Sequence, residues 1–115
     1  MIGLAFYPNL GTVESFTIVN LRSQHTTLRA HRALTANRFD MRVGPLEAQL
    51  VAPFQESRLT LDDNPHSIAY DLRWLDTKRS VAQPTLLGGY ETFGRIEGTV
   101  RVGSEEFTLT QADYA

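Results

Sequence analysis

His66-Ser67-Ile68-Ala69-Tyr70-Asp71-Leu72-Arg73-Trp74-Leu75-Asp76 is the stretch on which the fold turns. Ile68, Tyr70, Leu72 and Trp74 alternate with Ala69, Asp71 and Arg73. A period of two gives an extended strand one apolar and one mainly polar face, whereas an amphipathic helix repeats every 3.6 residues. Gly94–Val102 repeats the pattern, with Ile96, Gly98, Val100 and Val102 on one face and Arg95, Glu97, Thr99 and Arg101 on the other. Glu106–Thr110 sets Phe107 and Leu109 opposite Thr108. Between these two runs, Val102-Gly103-Ser104-Glu105 supplies a tight hairpin turn.

Working outward, Asp62-Asp63-Asn64-Pro65 is a second turn, because Asx side chains bond the local backbone and proline fixes φ. It joins a strand at Glu56–Leu61 to the His66–Asp76 strand. Gly44-Pro45 and Ala52-Pro53 bracket a strand at Leu46–Val51, and Pro8-Asn9-Leu10-Gly11 separates a short first strand from Thr12–Leu21. Gln24–Ala36 carries both signals: Thr26, Thr27, Leu28 and Thr35 favour a strand, while Ala30, Ala33, Ala36 and the arginines suit a helix. Its β-rich neighbours favour the strand. Arg79–Gly89 reads as a long loop with room for a short strand or one helical turn. About eight short strands at turn spacings describe an all-β, antiparallel sandwich or up-and-down barrel.

The 115 residues suit one domain, and a hydrophobic fraction of 42% with 21% charged residues excludes bulk disorder. A formal net charge of −2 gives no whole-chain case for nucleic acid. No apolar run approaches the ~20 residues of a membrane helix. The absence of cysteine excludes disulfides, thiolate metal sites and cysteine nucleophiles. The apolar start, Met1–Phe6, lacks a cationic flank and is interrupted by Pro8, so no secretory signal is read and a cytoplasmic location is expected.

Few residues combine into chemistry. His25 and His31 share a strand face but stand about 20 Å apart at ~3.3 Å per residue, too far to hold one metal; no metal or cofactor is expected. Glu91 and Glu97 have the same spacing, which overshoots the roughly 5–9.5 Å of paired catalytic carboxylates. The row Arg95, Glu97, Thr99, Arg101 is either a solvated face held by weak ion pairs or a polar barrel lumen. Gly88-Gly89 lacks the ending of a phosphate loop, and Ser15, Ser57 and Ser67 lack a nucleophile-elbow context. Residues 22–42 are locally basic and 91–113 locally acidic, which suggests that the two halves complement each other across a sheet. Tyr70 and Trp74 form an aromatic pair on one strand face, either as core or, with Tyr90, as contacts for an apolar ligand.

The order of motifs resembles a known group. Leu4-Ala5-Phe6-Tyr7-Pro8-Asn9-Leu10-Gly11, Val43-Gly44-Pro45-Leu46, Val51-Ala52-Pro53, Ser57-Arg58-Leu59-Thr60-Leu61-Asp62, Ile68–Trp74 and Gly89-Tyr90-Glu91-Thr92-Phe93-Gly94-Arg95-Ile96-Glu97-Gly98-Thr99-Val100 are similar to the lipocalin-like proteins grouped with AttH and hydroxyneurosporene synthase (carotenoid 1,2-hydratase). The resemblance covers most of the chain. It implies calycin-like barrels or sandwiches, an apolar cavity and, in some members, chemistry on isoprenoid or polyketide alkenes. In the most similar branch, the strand after the hairpin leads into a polar cluster like G-x-R-D-x-S-W-G. This sequence ends at Thr110-Gln111-Ala112-Asp113-Tyr114-Ala115, so no catalytic residues carry across.

The expectation is therefore an incomplete lipocalin-like domain over residues 1–115, the N-terminal part of a larger protein, binding a hydrophobic small molecule. Two other readings stand beside it. One is a hydratase or cyclase in which Glu97 or Glu91 acts as general acid to an alkene, with Arg95 holding the carboxylate and tuning its pKa. The other is a structural module that forms a homodimer through an open sheet edge.

Overall fold

The computed structural model describes residues 1–37, 39–53, 55–76, 81–82, 90–91 and 94–114. They form eleven strands: β1 (Ile2–Tyr7), β2 (Thr12–Leu21), β3 (Gln24–Ala33), β4 (Arg42–Val43), β5 (Leu46–Ala52), β6 (Glu56–Leu61), β7 (Ile68–Asp76), β8 (Val81–Ala82), β9 (Tyr90–Glu91), β10 (Gly94–Val102) and β11 (Glu105–Tyr114). All pairings are antiparallel. The chain is all-β, as the alternation indicates. Gln24–Ala33 is a strand, and no described helix is long and apolar enough to cross a membrane. The loop expected at Arg79–Gly89 holds the short strand Val81–Ala82, paired with Tyr90-Glu91; residues 79–80 and 83–89 lie outside the described residues.

β1-β2-β3 form one sheet and β11-β10-β7-β6-β5-β4 a second, with β8-β9 as a separate ribbon. The six-stranded sheet is a meander, and its register stacks the apolar positions into rows on one face. Leu46, Leu61, Tyr70, Val100 and Phe107 form one row. Ala48, Leu59, Leu72, Gly98 and Leu109 form the next, and Leu50, Ser57, Trp74 and Ile96 the one after. The opposite face carries Glu47, Arg58, Asp71, Arg73, Glu97, Thr99 and Arg101.

The three-stranded sheet lies over the apolar face with its strands crossing those beneath. Residues along β2 and just past it meet strands far apart in the larger sheet. Ser15 Oγ donates to the Val43 carbonyl of β4 at 3.1 Å, Thr17 Oγ1 lies 2.9 Å from the Tyr70 hydroxyl on β7, and Arg22, just past β2, reaches Glu105 of β11 at 3.1 Å. That is the crossed form of sheet packing, and it makes an open sandwich and not a closed barrel. Ala30 of β3 sits against Gly44, at the Ile68 end of the sheet. β1, on the other side of β2, therefore lies toward the Leu59–Leu72 row.

Burial follows this placement. Leu28, Leu46, Leu61, Ile68, Tyr70 and Leu72 form the buried core, with Ile2, Leu4, Val19, Leu59, Val100, Val102 and Leu109 packed around it. Each large apolar side chain buried there contributes about 1.5–3 kcal/mol. Along β5, on the same face, exposure climbs from 0% at Leu46 to 50% at Leu50. Trp74 at the end of β7 is half-buried.

Gly98 is the backbone pinch point. Its φ is +134°, and a Cβ there would run into the Asp71 carbonyl oxygen of β7. The β10–β11 register shifts at the same place, between Ile96 and Gly98. Gly98→Ala should therefore destabilise the fold by about 2–4 kcal/mol and lower the melting temperature by roughly 10 °C or more. Gly11, with φ +65° and open space around it, is the control; Gly11→Asn should melt within a few degrees of the parent, because asparagine tolerates that conformation. Thermal denaturation followed by circular dichroism checks both.

Candidate functional site

Tyr70 is a pillar of the core. Its ring fills the space between the sheets at 6% exposure, and its hydroxyl shares a hydrogen bond with Thr17 Oγ1. Burial pushes its pKa up to about 12, only partly offset by the bond to Thr17. A side chain enclosed in this way closes the space that an apolar ligand would need beside it, so the geometry assigns Tyr70 to packing. Trp74, two residues along the same face, is different. Gly94 faces its indole, where a Cβ would collide with the ring, and the ring stays half-buried at the end of the sheet. Tyr90 is placed only by its backbone, opposite Ala82; its side chain lies outside what the structure describes.

The row containing Trp74 leads across the sheet to Leu50, through Ser57. Two strand spacings, about 10 Å, separate Leu50 from Trp74. Beside Leu50 an open cleft of about 400 Å³ runs along the edge of β5. Phe39, Met41, Ala48 and Leu50 supply its apolar wall, and Asn37, Asp40, Glu47 and Gln49 its polar rim. The loop that carries Phe39 is held by its own polar groups. Asn37 Oδ1 accepts the Phe39 N–H, Asp40 Oδ1 accepts the Arg42 N–H, and Arg32 donates to the carbonyls of Asp40 and Arg42. Phe39 is thereby presented to solvent at 87% exposure. Sequence reading passed over these residues, because Phe39 stands in a loop without periodicity and β4 is only two residues long. The available signal was the uncharged run Gln49-Leu50-Val51-Ala52, apolar on both faces of a strand.

Glu97 and Arg95 stand on the opposite, polar face. Glu97 pairs in register with Arg73 and accepts a 2.7 Å bond from its guanidinium. Arg73 also binds Glu56, whose carboxyl its hydrogen bond holds below the usual range. Arg58 does the same for Asp71 in a two-point contact, and Arg101 pairs with Asp63. The row is thus a solvated, ion-paired face and not a barrel lumen. A general acid at Glu97, with Arg95 beside it, would be separated by the sheet from anything bound near Trp74, so Glu97 does not face the aromatic row. Glu91 is described only by its backbone.

The basic segment also pairs differently from expectation. Arg29 binds Glu14, Arg32 binds Asp40, and Arg42 binds Glu47 and Asp62; of the described pairs from this segment, Arg22–Glu105 alone reaches the acidic stretch. His25 and His31 lie on the outer face of the three-stranded sheet, His25 between Asn20 Oδ1 and Thr27 Oγ1. No cluster of metal-ligating side chains occurs among the described residues.

The profile of a family described as a family of unknown function (DUF8625) matches residues 1–115, and the chain belongs to that family. No curated protein and no solved structure matches it.

The Thr17–Tyr70 contact makes a two-part prediction. At neutral pH, Tyr70→Phe should cost about 1–3 kcal/mol by leaving the Thr17 hydroxyl buried and unpaired, and adding Thr17→Val should recover part of that loss. At alkaline pH the phenol ionises in the unfolded chain near 10 but in the folded chain only near 12. The stability it contributes is therefore intact below pH 10 and declines as pH rises toward 12, by about 3 kcal/mol in total. Urea unfolding of the parent should show that slope in excess of Tyr70→Phe.

Proposed function

We propose that this member of the DUF8625 family binds a small, mainly apolar molecule at the uncovered end of the sandwich, with Leu50, Phe39 and Trp74 as its contacts. The observation that carries the reading is an open cleft of about 400 Å³ beside Leu50, which is 50% exposed on the row that leads through Ser57 to the partly buried Trp74. The cleft's volume falls in the range of about 300–1,000 Å³ found for small-molecule sites, and its lining is half polar, which suits an amphipathic ligand. The rim of Asn37, Asp40, Glu47 and Gln49 suits a ligand with a polar, hydrogen-bond-donating end. The antiparallel meander and the motif resemblance to the AttH and hydroxyneurosporene synthase group support a lipocalin-like ancestry, in which apolar ligands are the rule. Binding is favoured over the hydratase or cyclase reading because Glu97, its first candidate acid, lies on the far face, bound to Arg73.

Trp74 is the chain's one tryptophan, so its emission reports on this end of the sheet alone. Titration with dodecanol or dodecanoate should give a saturable change in that emission together with a rise in melting temperature. Leu50→Asp should weaken the apparent affinity by about tenfold, the effect of losing one apolar contact. Leu10→Asp, in the β1–β2 turn, should leave it unchanged. No saturable change with either probe, or equal affinity in Leu50→Asp, would remove the proposal.

A further inference from the structure

The two larger sheets present four outer strands, β1, β3, β4 and β11, and they are not equally approachable. Beside β3 stand Asp40 and Arg42, whose carbonyls Arg32 of β3 binds. β4 is two residues long, and β5 beyond it has a register shift between Leu50 and Ala52 before Pro53. β1 is uncharged but only six residues long, against ten in β11, so it offers the shorter edge. Among the described residues no strand pairs on the far side of β11, and the tip of the β2–β3 hairpin reaches it only at Glu105. Edge strands left open in this way are templates for pairing.

We infer that β11 is a self-association edge, at which two copies of the chain pair antiparallel about Thr108 to join their six-stranded sheets. The two-residue turn at Gly103-Ser104 makes Val102 and Glu105 a hydrogen-bonded pair. Alternation then directs the N–H and C=O groups of Phe107 and Leu109 to β10, and those of Glu106 and Thr108 outward. A two-fold axis at Thr108 sets each Thr108 against its counterpart through two backbone hydrogen bonds. Phe107 falls opposite the other copy's Leu109 on the apolar face, and Glu106 opposite the other copy's Thr110. No like charges oppose each other. Centring the axis on Phe107 instead would put Glu105, already bound to Arg22, opposite Leu109; centring it on Glu106 would oppose two carboxylates. Of these three registers, the one centred on Thr108 is favoured. The contact is short, so the dimer is weak, with dissociation on the order of tens of micromolar for an interface below standard size.

Sedimentation velocity over a concentration series up to about millimolar should show monomer passing to dimer. Thr108 is exposed on the polar face, so charges there leave the core intact. Thr108→Glu and Thr108→Lys should each weaken dimerisation several-fold by opposing like charges, and an equimolar mixture of the two should restore it as a heterodimer. Because the chain has no cysteine, Thr108→Cys gives an independent reading. Its Cα atoms would lie about 5.5 Å apart across the axis, within disulfide range, so oxidation should trap dimer faster than in Glu106→Cys. A parent that stays monomeric throughout, a dimer indifferent to both charged variants, or tighter association of Thr108→Lys alone would each overturn the inference. Preserved circular dichroism qualifies the charged variants; if either unfolds, the cysteine rates decide. Dodecanoate titration of the monomeric variants distinguishes this result from failure of the ligand site, which lies elsewhere on the sheet.

Discussion

Neighbouring strands lie about 4.8 Å apart, and alternate residues of one strand about 6.7 Å apart. A three-stranded sheet laid across other strands is therefore only about 10 Å wide between its outer axes. The apolar face of β7 alone, from Ile68 to Trp74, is about 20 Å long by the same spacings. One sheet cannot cover the other, and where cover runs out is fixed by where β2 crosses. It crosses at Tyr70, with β3 toward Gly44 and β1 toward Leu72. Ile68, Tyr70 and Leu72 are consequently sealed, while in the next row burial falls from Ile96, at 7% exposed, through Trp74 to Leu50, at 50%.

Two hydroxyls on β2 set that crossing point. Ser15 and Thr17 are each 1% exposed in an otherwise apolar layer. A buried hydroxyl without a partner costs about 1–3 kcal/mol, so neither is tolerated in an arbitrary position. Sliding β2 by one pleat would separate Ser15 from the Val43 carbonyl and Thr17 from the Tyr70 phenol together. Alanine and valine could fill nearly the same volumes but would accept several registers. The hydroxyls therefore restrict the sandwich to one arrangement, and that arrangement decides which apolar residues remain accessible.

This explains how much was legible in the sequence. The alternation in Ile68–Trp74 and Gly94–Val102 reports local geometry, and it correctly separates Tyr70 from Arg73 and Ile96 from Glu97. The turns at Gly103-Ser104 and Asp62–Pro65 follow from residue chemistry at fixed positions; Asn64 does bond the His66 N–H. Alternation names two faces without saying how far a second sheet extends over one of them. Tyr70 and Trp74 therefore looked equivalent, although one bonds Thr17 across the core and the other sits at the rim. The cleft beside Leu50 depends on a bound loop, Asn37–Arg42, whose contacts are with β3 and β5 and leave no periodic trace. Charge pairing was misread for a similar reason. Arginines 29, 32 and 42 find partners across a strand or within a few residues, because short contacts form at smaller entropic cost than ones that must span both sheets.

The polar face of the larger sheet helps to locate function by contrast. Arg58, Arg73 and Arg101 each meet carboxylates on adjacent strands or turns, and the lowered pKa values of Glu56 and Asp71 record that the ionised forms are favoured by those partners. Groups of this kind lend stability above their unfolded pKa values and lose it as pH falls through the lower folded ones. Exposed pairs contribute little each, and their carboxylates already have cations bound. A ligand arriving on that face would have to displace them. On the other face Leu50 has solvent in place of a partner, Phe39 is held outward by a braced loop, and burial of either by an apolar guest releases surface without breaking any bond. The difference between the two faces, and not any single reactive group, is what points a binding function toward the uncovered row.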